Sequence, residues 1–427
     1  MTTLARQGYV AALDVGTTKI CCLIAKVDGS KNIARGEPLP LGAVRVVGIG
    51  HQLSQGLRQG AVVDMGAAEA AIRHAVDAAE RMAGETIDRV VVNVSSGFPR
   101  SQALEADIAL GGHAITDRDI RRIVDHGRAE FDPTDRELIH AIPTAFSVDG
   151  NGGIRDPRGM HGDRLGVAMH FVTASVGPLR NLAICVERCH LELGGRVLSP
   201  YASALSTLVE DERDLGAVCI DMGGGTTSLA VFHGGEFVYS DVIRVGGHHI
   251  TKDIAQGLST SLAHAERLKT LYGSALPSSS DEREMITVPH LGDDLDAPSA
   301  QMPRSLLTGI IRPRIEETFD LVRDSLRRSG MDRLTSRRVV LTGGGSQLNG
   351  VRELAARILD KQVRPGRPIR LTGLSDGVSG PAFATAAGLV AHAVGGTEEP
   401  LLAAPDLRRG RAAGTLGRIG QWLKENF

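Results

Sequence analysis

Two short stretches of this 427-residue chain carry residue types at spacings suited to holding phosphate: "DVGTTK" (14–19) and "DMGGGTTS" (221–228). In each, an aspartate ends an apolar strand, a glycine follows two residues later, and a pair of threonines comes next. A tight glycine turn between two strands exposes consecutive backbone N–H groups, and no side chain blocks an anion from reaching them. Gly16, Thr17 and Thr18 in the first turn, and Gly223, Gly224, Gly225, Thr226 and Thr227 in the second, are the candidate phosphate contacts, with Lys19 adding a point charge. Asp14 and Asp221 are candidates to hold a hydrated Mg²⁺ between them, because magnesium tends to keep its waters. One such turn is common hairpin punctuation; two in matching positions form a pattern. A third cluster, Gly343, Gly344, Gly345 and Ser346 in "LTGGGSQLNG", follows another apolar strand and suits a flat purine laid on bare backbone. Neither GxGxxG nor GxxxxGK[ST] occurs, which argues against a nicotinamide enzyme and a P-loop ATPase.

The segments around these turns must place them face to face. "YVAALDVGTTKICCLIAKV" and "GAVCIDMGGGTTSLAVFHGGEFVYSDV" share one layout of strand, turn and strand, an internal echo across some two hundred residues. Between them lie amphipathic helices such as "GAAEAAIRHAVDAAERMAG" and "TDRDIRRIVDHGRAEF", and strands such as "RVVVNVSS". Alternating strands and helices predict α/β layers, arranged as two related halves. The chain is too long for one core. With 42% apolar and 23% charged residues it has the balance of an ordinary globular protein. It contains no run of about 18 apolar residues. Its opening segment lacks a secretory pattern and its five cysteines form no disulfide framework, so a cytoplasmic location is expected. Cys185, Cys189 and His190 read as packing residues rather than a metal site. A net charge of −2 argues against nucleic acid as a partner.

The C-terminal residues combine charge with one apolar stripe. On a helix over 415–427, Leu416, Ile419, Trp422, Leu423 and Phe427 line up, and Trp422 is the sole tryptophan. From Arg408 onward there are five basic residues and one acid. Such a helix is about 20 Å long, too short to span a bilayer, and suits the plane of an anionic membrane surface. The Gly, Pro, Ala and charged residues before it (396–414) read as a flexible tether with a reach of roughly 25 Å.

The three glycine motifs, in this order, resemble the actin, Hsp70 and sugar-kinase ATPase superfamily. "SPYASALSTL" and "GPAFATAAGLVAHA" are similar to its small-residue helices that cross between the halves. Within that superfamily the chain resembles the FtsA family of bacterial cell-division proteins, through "HAERLK", "PRSLLTGIIRPRIEE", "RLTGLSDGVSGPAFATAAGL" and the terminal Trp-Leu-Lys-x-x-Phe. The resemblance implies a two-lobed actin-like fold with duplicated ribonuclease-H-like halves, ATP with Mg²⁺ as ligand, and Glu266 and Lys269 reaching the adenosine. It implies a first half of 1–97 completed by 167–200 and 380–395, with an inserted self-association subdomain at 98–166. The second half would be 201–245 with 309–379, carrying an outer subdomain at 246–308. That outer subdomain is expected to receive the acidic C-terminal peptide of the tubulin-like protein FtsZ, with Arg304 and Arg314 as candidate contacts. Further implications are filaments of the protein itself, contacts with other division proteins, and a peripheral place on the inner face of the bacterial cell membrane at the division site. Ser199 stands before Pro200 where many superfamily members carry an acid or amide that orients the attacking water; a hydroxyl polarises water less well, so slow ATP hydrolysis is expected.

Three other classes fit less well. A sugar-type kinase would use the same turns but needs an aspartate base in an acceptor cleft; none stands out, with Asp64 and Asp163 left open. It would also give no reason for a basic tether and terminal helix. An Hsp70-like chaperone needs a long substrate domain where only about 30 residues remain. A protein that had lost nucleotide binding would show eroded glycines or aspartates, and these are intact.

Overall fold

The computed structural model describes residues 8–28, 42–289, 300–335, 337–369 and 371–395. The first lobe opens with an antiparallel meander, β1 (Tyr9–Val15), β2 (Lys19–Val27) and β3 (Val44–Leu53). A two-stranded ribbon, β4 (Leu57–Arg58) and β5 (Ala61–Val62), leads into helix α1 (Met65–Ala83) and strand β6 (Arg89–Val94), which pairs parallel with β1. Asp64 starts α1 by accepting from the Ala67 N–H at 3.1 Å, and Gly84 ends it in the left-handed region. The helix lies close on the sheet because β3 carries glycine there: a β-carbon on Gly50 would stand 1.8 Å from Ala75 O.

An inserted unit follows: β7 (Arg100–Ala109), α2 (Asp117–Glu130), β8 (Arg136–Val148), β9 (Asn151–Ile154) and β10 (Arg164–Ser175), a sheet of order β7-β10-β8-β9. Its own core gathers Ile120 and Ile123 of the helix with Phe146, Met169 and Phe171 of the sheet. The exit expected at 166 falls inside β10, which pairs with β7 and β8 along residues 164–175. The insert therefore runs through Ser175. In sequence the strand's second half reads like any other buried apolar run.

Helix α3 (Val176–Arg188) and β11 (Glu192–Leu198) then complete the first sheet, of order β11-β6-β1-β2-β3. Helices α4 (Ser199–Thr207) and α5 (Glu210–Leu215) cross to the second lobe. There β12 (Ala217–Met222), β13 (Thr227–His233) and β14 (Glu236–Ile243) repeat the antiparallel meander. Next come α6 (Gly247–Gly257), α7 (Leu262–Tyr272), β15 (Met285–Val288), β16 (Ala300–Pro303), α8 (Arg304–Arg328), α9 (Met331–Leu334), β17 (Arg338–Thr342), α10 (Val351–Leu359) and β18 (Gln362–Pro365). Strands β17 and β18 add in parallel to give β14-β13-β12-β17-β18, the topology of the first sheet over again. The small outer part holds α6, α7 and the β15–β16 ribbon. Its segment 274–284 is an ordered turn: buried Asp281 accepts from the Ser278 N–H at 2.9 Å and from the Thr308 hydroxyl of α8 at 3.4 Å.

The described residues end with α11 (Ala384–Gly395), which crosses α4. Both helices are rich in Ala, Ser and Gly, and for a physical reason: a β-carbon on Gly388 would lie 1.7 Å from Ala202 O. The backbones touch where the lobes join, and only small residues allow it. The tether over 396–414 and the helix expected over 415–427 lie outside the described residues. No helix among those described is long and apolar enough to cross a membrane.

Candidate functional site: a cleft between two phosphate turns

The two turns have one geometry. Gly16 N donates to Lys19 O at 3.0 Å, and Gly223 N donates to Thr226 O at 2.9 Å. These closures leave the N–H groups of Thr17, Thr18, Gly224 and Gly225 without a protein partner among the described residues. The carbonyls of the second turn face the other way: Gly247 N and His248 N, at the start of α6, donate to Gly223 O and Gly224 O at 3.0 and 2.7 Å. The helix thus holds the turn with its amides aimed into the cleft.

The turns meet across that cleft. A β-carbon on Gly224 would lie 2.4 Å from Thr18 Cγ2, and one on Gly225 would lie 2.4 Å from Thr17 Oγ1 and 2.9 Å from Gln59 Cα. Between them is a cavity of about 240 Å³ lined by Asp14, Gly16, Thr17, Thr18, Lys19, Asp221, Gly223, Gly224, Gly225, Thr226, Gly343 and Gly344. Lys19 Nζ donates to Ala382 O at 2.5 Å and sits 3.3 Å from the Phe383 ring centre. Thr227 departs from the expectation. Its side chain is fully buried at the root of β13, away from the cavity, and its hydroxyl has no partner among the described residues. Gly345 packs against Met222 instead of lining the cavity, and the Ser346 hydroxyl donates to Gly343 O at 2.7 Å.

Asp14 and Asp221 end the two first strands, and both are buried. Burial pushes the Asp14 carboxyl up from 3.8 to about 7, with Lys19 pulling it down and Asp221 adding to the rise. Burial also raises Asp221, against hydrogen bonds from Ser203 Oγ (2.6 Å) and Thr385 Oγ1 (3.0 Å) and the charge of Lys19. Those two hydroxyls come one from each crossing helix, so the carboxylate ties both to the cleft. A pair of hard carboxylates in a site lined by amides fits Mg²⁺, and no group of three or more metal-ligating side chains occurs among the described residues. Water and phosphate oxygens would complete its shell.

Glu266 and Lys269 stand on α7 beside the second turn. Lys269 Nζ donates to Gly247 O (3.1 Å), Thr251 Oγ1 (2.9 Å) and Glu266 Oε2 (2.7 Å). Burial pushes the Glu266 carboxyl up, but hydrogen bonds from Lys269 and Thr251 outweigh it and hold it low. Arg304 and Arg314 lie on α8, which packs against the outer part, and both are already paired. Arg304 meets Glu284 at 2.8 Å and donates to Tyr272 O at 2.8 Å; Arg314 forks onto Asp253 at 2.6 and 2.9 Å. Cys185 packs on Met65, its Sγ 3.7 Å from the thioether sulfur.

Sequence reading missed Asn93. It is buried at the end of β6 and lines the cavity, its Oδ1 accepting from Val15 N at 2.7 Å and its Nδ2 donating to Ser199 Oγ at 3.1 Å. A lone amide closing the apolar run "RVVVNV" was the available signal. Ser199 in turn donates to Val94 O at 3.0 Å, so its hydroxyl is engaged in holding the floor of the cleft.

Duplicated five-stranded sheets, helices crossing between them and opposed glycine turns define the actin-like ATPase fold. Solved structures bear this out at the level of fold. The PilM-PilN type IV pilus biogenesis complex aligns with a TM-score of 0.62 at 18% identity, covering 90% of this chain and 98% of that one. MreB5 of Spiroplasma citri bound to ADP aligns at 0.50 and 17%, covering 90% and 95%. The profile of Cell division protein FtsA matches residues 218–388, and that of the SHS2 domain inserted in FtsA matches 97–173, the insert described above. Cell division protein FtsA of Rhizobium meliloti is 47% identical over 99% of this chain and 96% of its own length. That of Neisseria meningitidis is 36% identical over 99% of both, and that of Escherichia coli 31% over 98% of both. The chain belongs to the FtsA family of cell division proteins. The sugar-kinase alternative is not favoured.

Proposed function

We propose that this protein binds ATP with Mg²⁺ in the cleft, assembles with copies of itself, and tethers FtsZ filaments to the inner face of the cell membrane at the division site. The observation that carries the nucleotide part is the opposition of two amide-lined turns, with Gly224 and Gly225 packed on Thr18 and Thr17. Gly16, Thr17, Thr18, Lys19 and Gly223 to Thr226 would hold the phosphates. Asp14 and Asp221 would hold the metal through water, and the metal would neutralise phosphate charge. Gly343, Gly344 and Ser346, with Glu266 and Lys269, would hold the adenosine. Asn93 and Ser199 are held by backbone and by each other, and neither carries a carboxylate that would polarise an attacking water strongly, which supports slow hydrolysis.

The membrane part rests on the sequence of 408–427, where an apolar stripe lies beside a cluster of positive charge. One such stripe binds lipid weakly, so attachment gains from many tails displayed along a polymer. The outer part is the proposed seat of the FtsZ peptide, with Arg304 and Arg314 able to share their fork between the peptide's acids and their present partners. Co-sedimentation with anionic vesicles tests the tether. The full chain should pellet, while Trp422→Glu and a chain stopped at Ala412 should stay in the supernatant with ATP affinity unchanged. Pelleting of both variants would refute it.

A further inference from the structure

Around the phosphate end of the cleft, three parts of the molecule meet through four side chains. Gln59 stands with Gly60 at the tip of the β4–β5 ribbon of the first lobe, at φ 49°. The ribbon is tied to the first phosphate turn, since Gly60 N donates to Thr17 Oγ1 at 2.9 Å. From the second lobe comes Arg244, directly after β14. Its Nε and Nη2 donate to Gln59 Oε1 at 3.2 and 2.7 Å, and Gln59 Nε2 returns a bond to Arg244 O at 3.2 Å. This reciprocal pair crosses between the lobes at the point where Gly225 touches Gln59 and Thr17.

The same guanidinium reaches the insert. Its carbon lies 4.7 Å from the ring centre of Phe98, the residue that leads into β7. Phe98 is 60% exposed and holds a φ of 50°, a conformation uncommon for an aromatic residue. It is pinned from within the insert: Arg136 Nη2 donates to Phe98 O, and Arg136 Nε donates to Thr173 Oγ1 of β10 at 2.9 Å. Two further bonds fasten the insert to β14, the strand that ends just before Arg244. Ser240 N donates to Ser101 Oγ at 3.2 Å, and His170 Nδ1 lies 2.9 Å from Phe237 O. The insert therefore leaves the chain from the first lobe but is bonded to the second.

We propose that Gln59 and Arg244 form a latch that closes the cleft over bound nucleotide and, through Phe98, sets the insert against the second lobe. This rests on the reading of the cleft as a nucleotide site and adds a route by which that site governs the insert. The two turns face one cavity with amides not used by other backbone groups, so phosphates seated there would bond both turns and hold them together. Closure brings Gln59 and Arg244 into register, and Arg244 then fixes the root of the insert. Gln59 and Arg244 are positioning residues, since neither lines the phosphate cavity.

The test is a charge swap on the full chain, read by two signals. One is the release rate of N-methylanthraniloyl-ATP with Mg²⁺ in stopped flow. The other is amide hydrogen exchange over residues 98–110 with and without ATP. Gln59→Lys sets two cations together and should speed release about tenfold, the scale of one lost charge-assisted bond. It should also abolish the slowing of exchange that ATP causes in the insert. Adding Arg244→Glu should restore slow release but not the effect on exchange, because a glutamate cannot stack on Phe98, whereas Gln59→Glu alone should leave both intact. If the wild type retains the probe but Gln59→Lys behaves identically, or the swap gives no recovery, the latch is wrong. If the wild type retains no probe, the nucleotide reading falls and takes the latch with it.

Discussion

Replacing Gly225 with alanine places one methyl group between the two lobes. Its carbon would lie 2.4 Å from Thr17 Oγ1, 3.0 Å from Thr17 Cβ and 2.9 Å from Gln59 Cα. Rotating Thr17 relieves the first contact but neither of the others, and one of those is backbone. Ordinary carbon–carbon contact is about 3.5–4.0 Å, so the turns must separate by roughly 1 Å. An N–H···O bond of about 2.9 Å stretched by that much no longer counts as one. If phosphates bridge both turns, one or two charge-assisted bonds are lost, each contributing about 1.5–3 kcal/mol. Two bonds amount to about 3–6 kcal/mol, or roughly 10²–10⁴ in affinity. Isothermal calorimetry with ATP·Mg²⁺ measures this directly. A circular-dichroism melt close to wild type shows that the lobes still fold, since Gly225 lies outside both cores. Affinity within threefold of wild type would refute the claim that nucleotide binds between closed turns.

Three other outcomes follow from particular contacts. Asp14 has its folded pKa raised from 3.8 to about 7, so folding takes up a proton between those values, and metal-free stability should fall as pH rises from about 4 to 7. Asp14→Asn should flatten that fall in thermal melts and raise the melting temperature at pH 8, while removing the stabilisation by Mg²⁺ expected of the wild type; an unchanged pH profile would contradict it. Gly388→Val drives a side chain into Ala202 O, at 1.7 Å from its β-carbon, and should cost about 3 kcal/mol or more in urea unfolding. Reversing both Arg304 and Arg314 to Glu should weaken an FtsZ C-terminal peptide at least tenfold in fluorescence anisotropy, with a melting control because each residue also bonds its own subdomain.

The strands and turns of this protein were legible because burial on both faces demands unbroken apolar runs, and because a glycine turn that admits an anion has few other forms. The echo between residues 9–27 and 216–242 led straight to two lobes of one topology. Other features depend on partners distant in sequence. Asn93 looks like an ordinary strand residue until Val15 and Ser199 are seen to surround it. Gln59 and Arg244, 185 residues apart, carry no local signal of their contact. Arg304 and Arg314 read as available positive charge, yet Glu284 and Asp253 engage them, because the sequence does not tell which acid lies opposite. The insert's end within β10 is hidden in the sequence for a similar reason: only pairing with β7 and β8 shows that the strand continues past 166.

A cleft occupied by ATP, an insert and a terminal amphipathic helix together make the proposed membrane tether for FtsZ. Its most direct test is the recruitment of fluorescent FtsZ to anionic vesicles by the full chain, with ATP·Mg²⁺ or without nucleotide. FtsZ should gather on the vesicles with the full chain and ATP, with a marked loss without nucleotide and none with the chain stopped at Ala412. Equal recruitment by the truncated chain would contradict it.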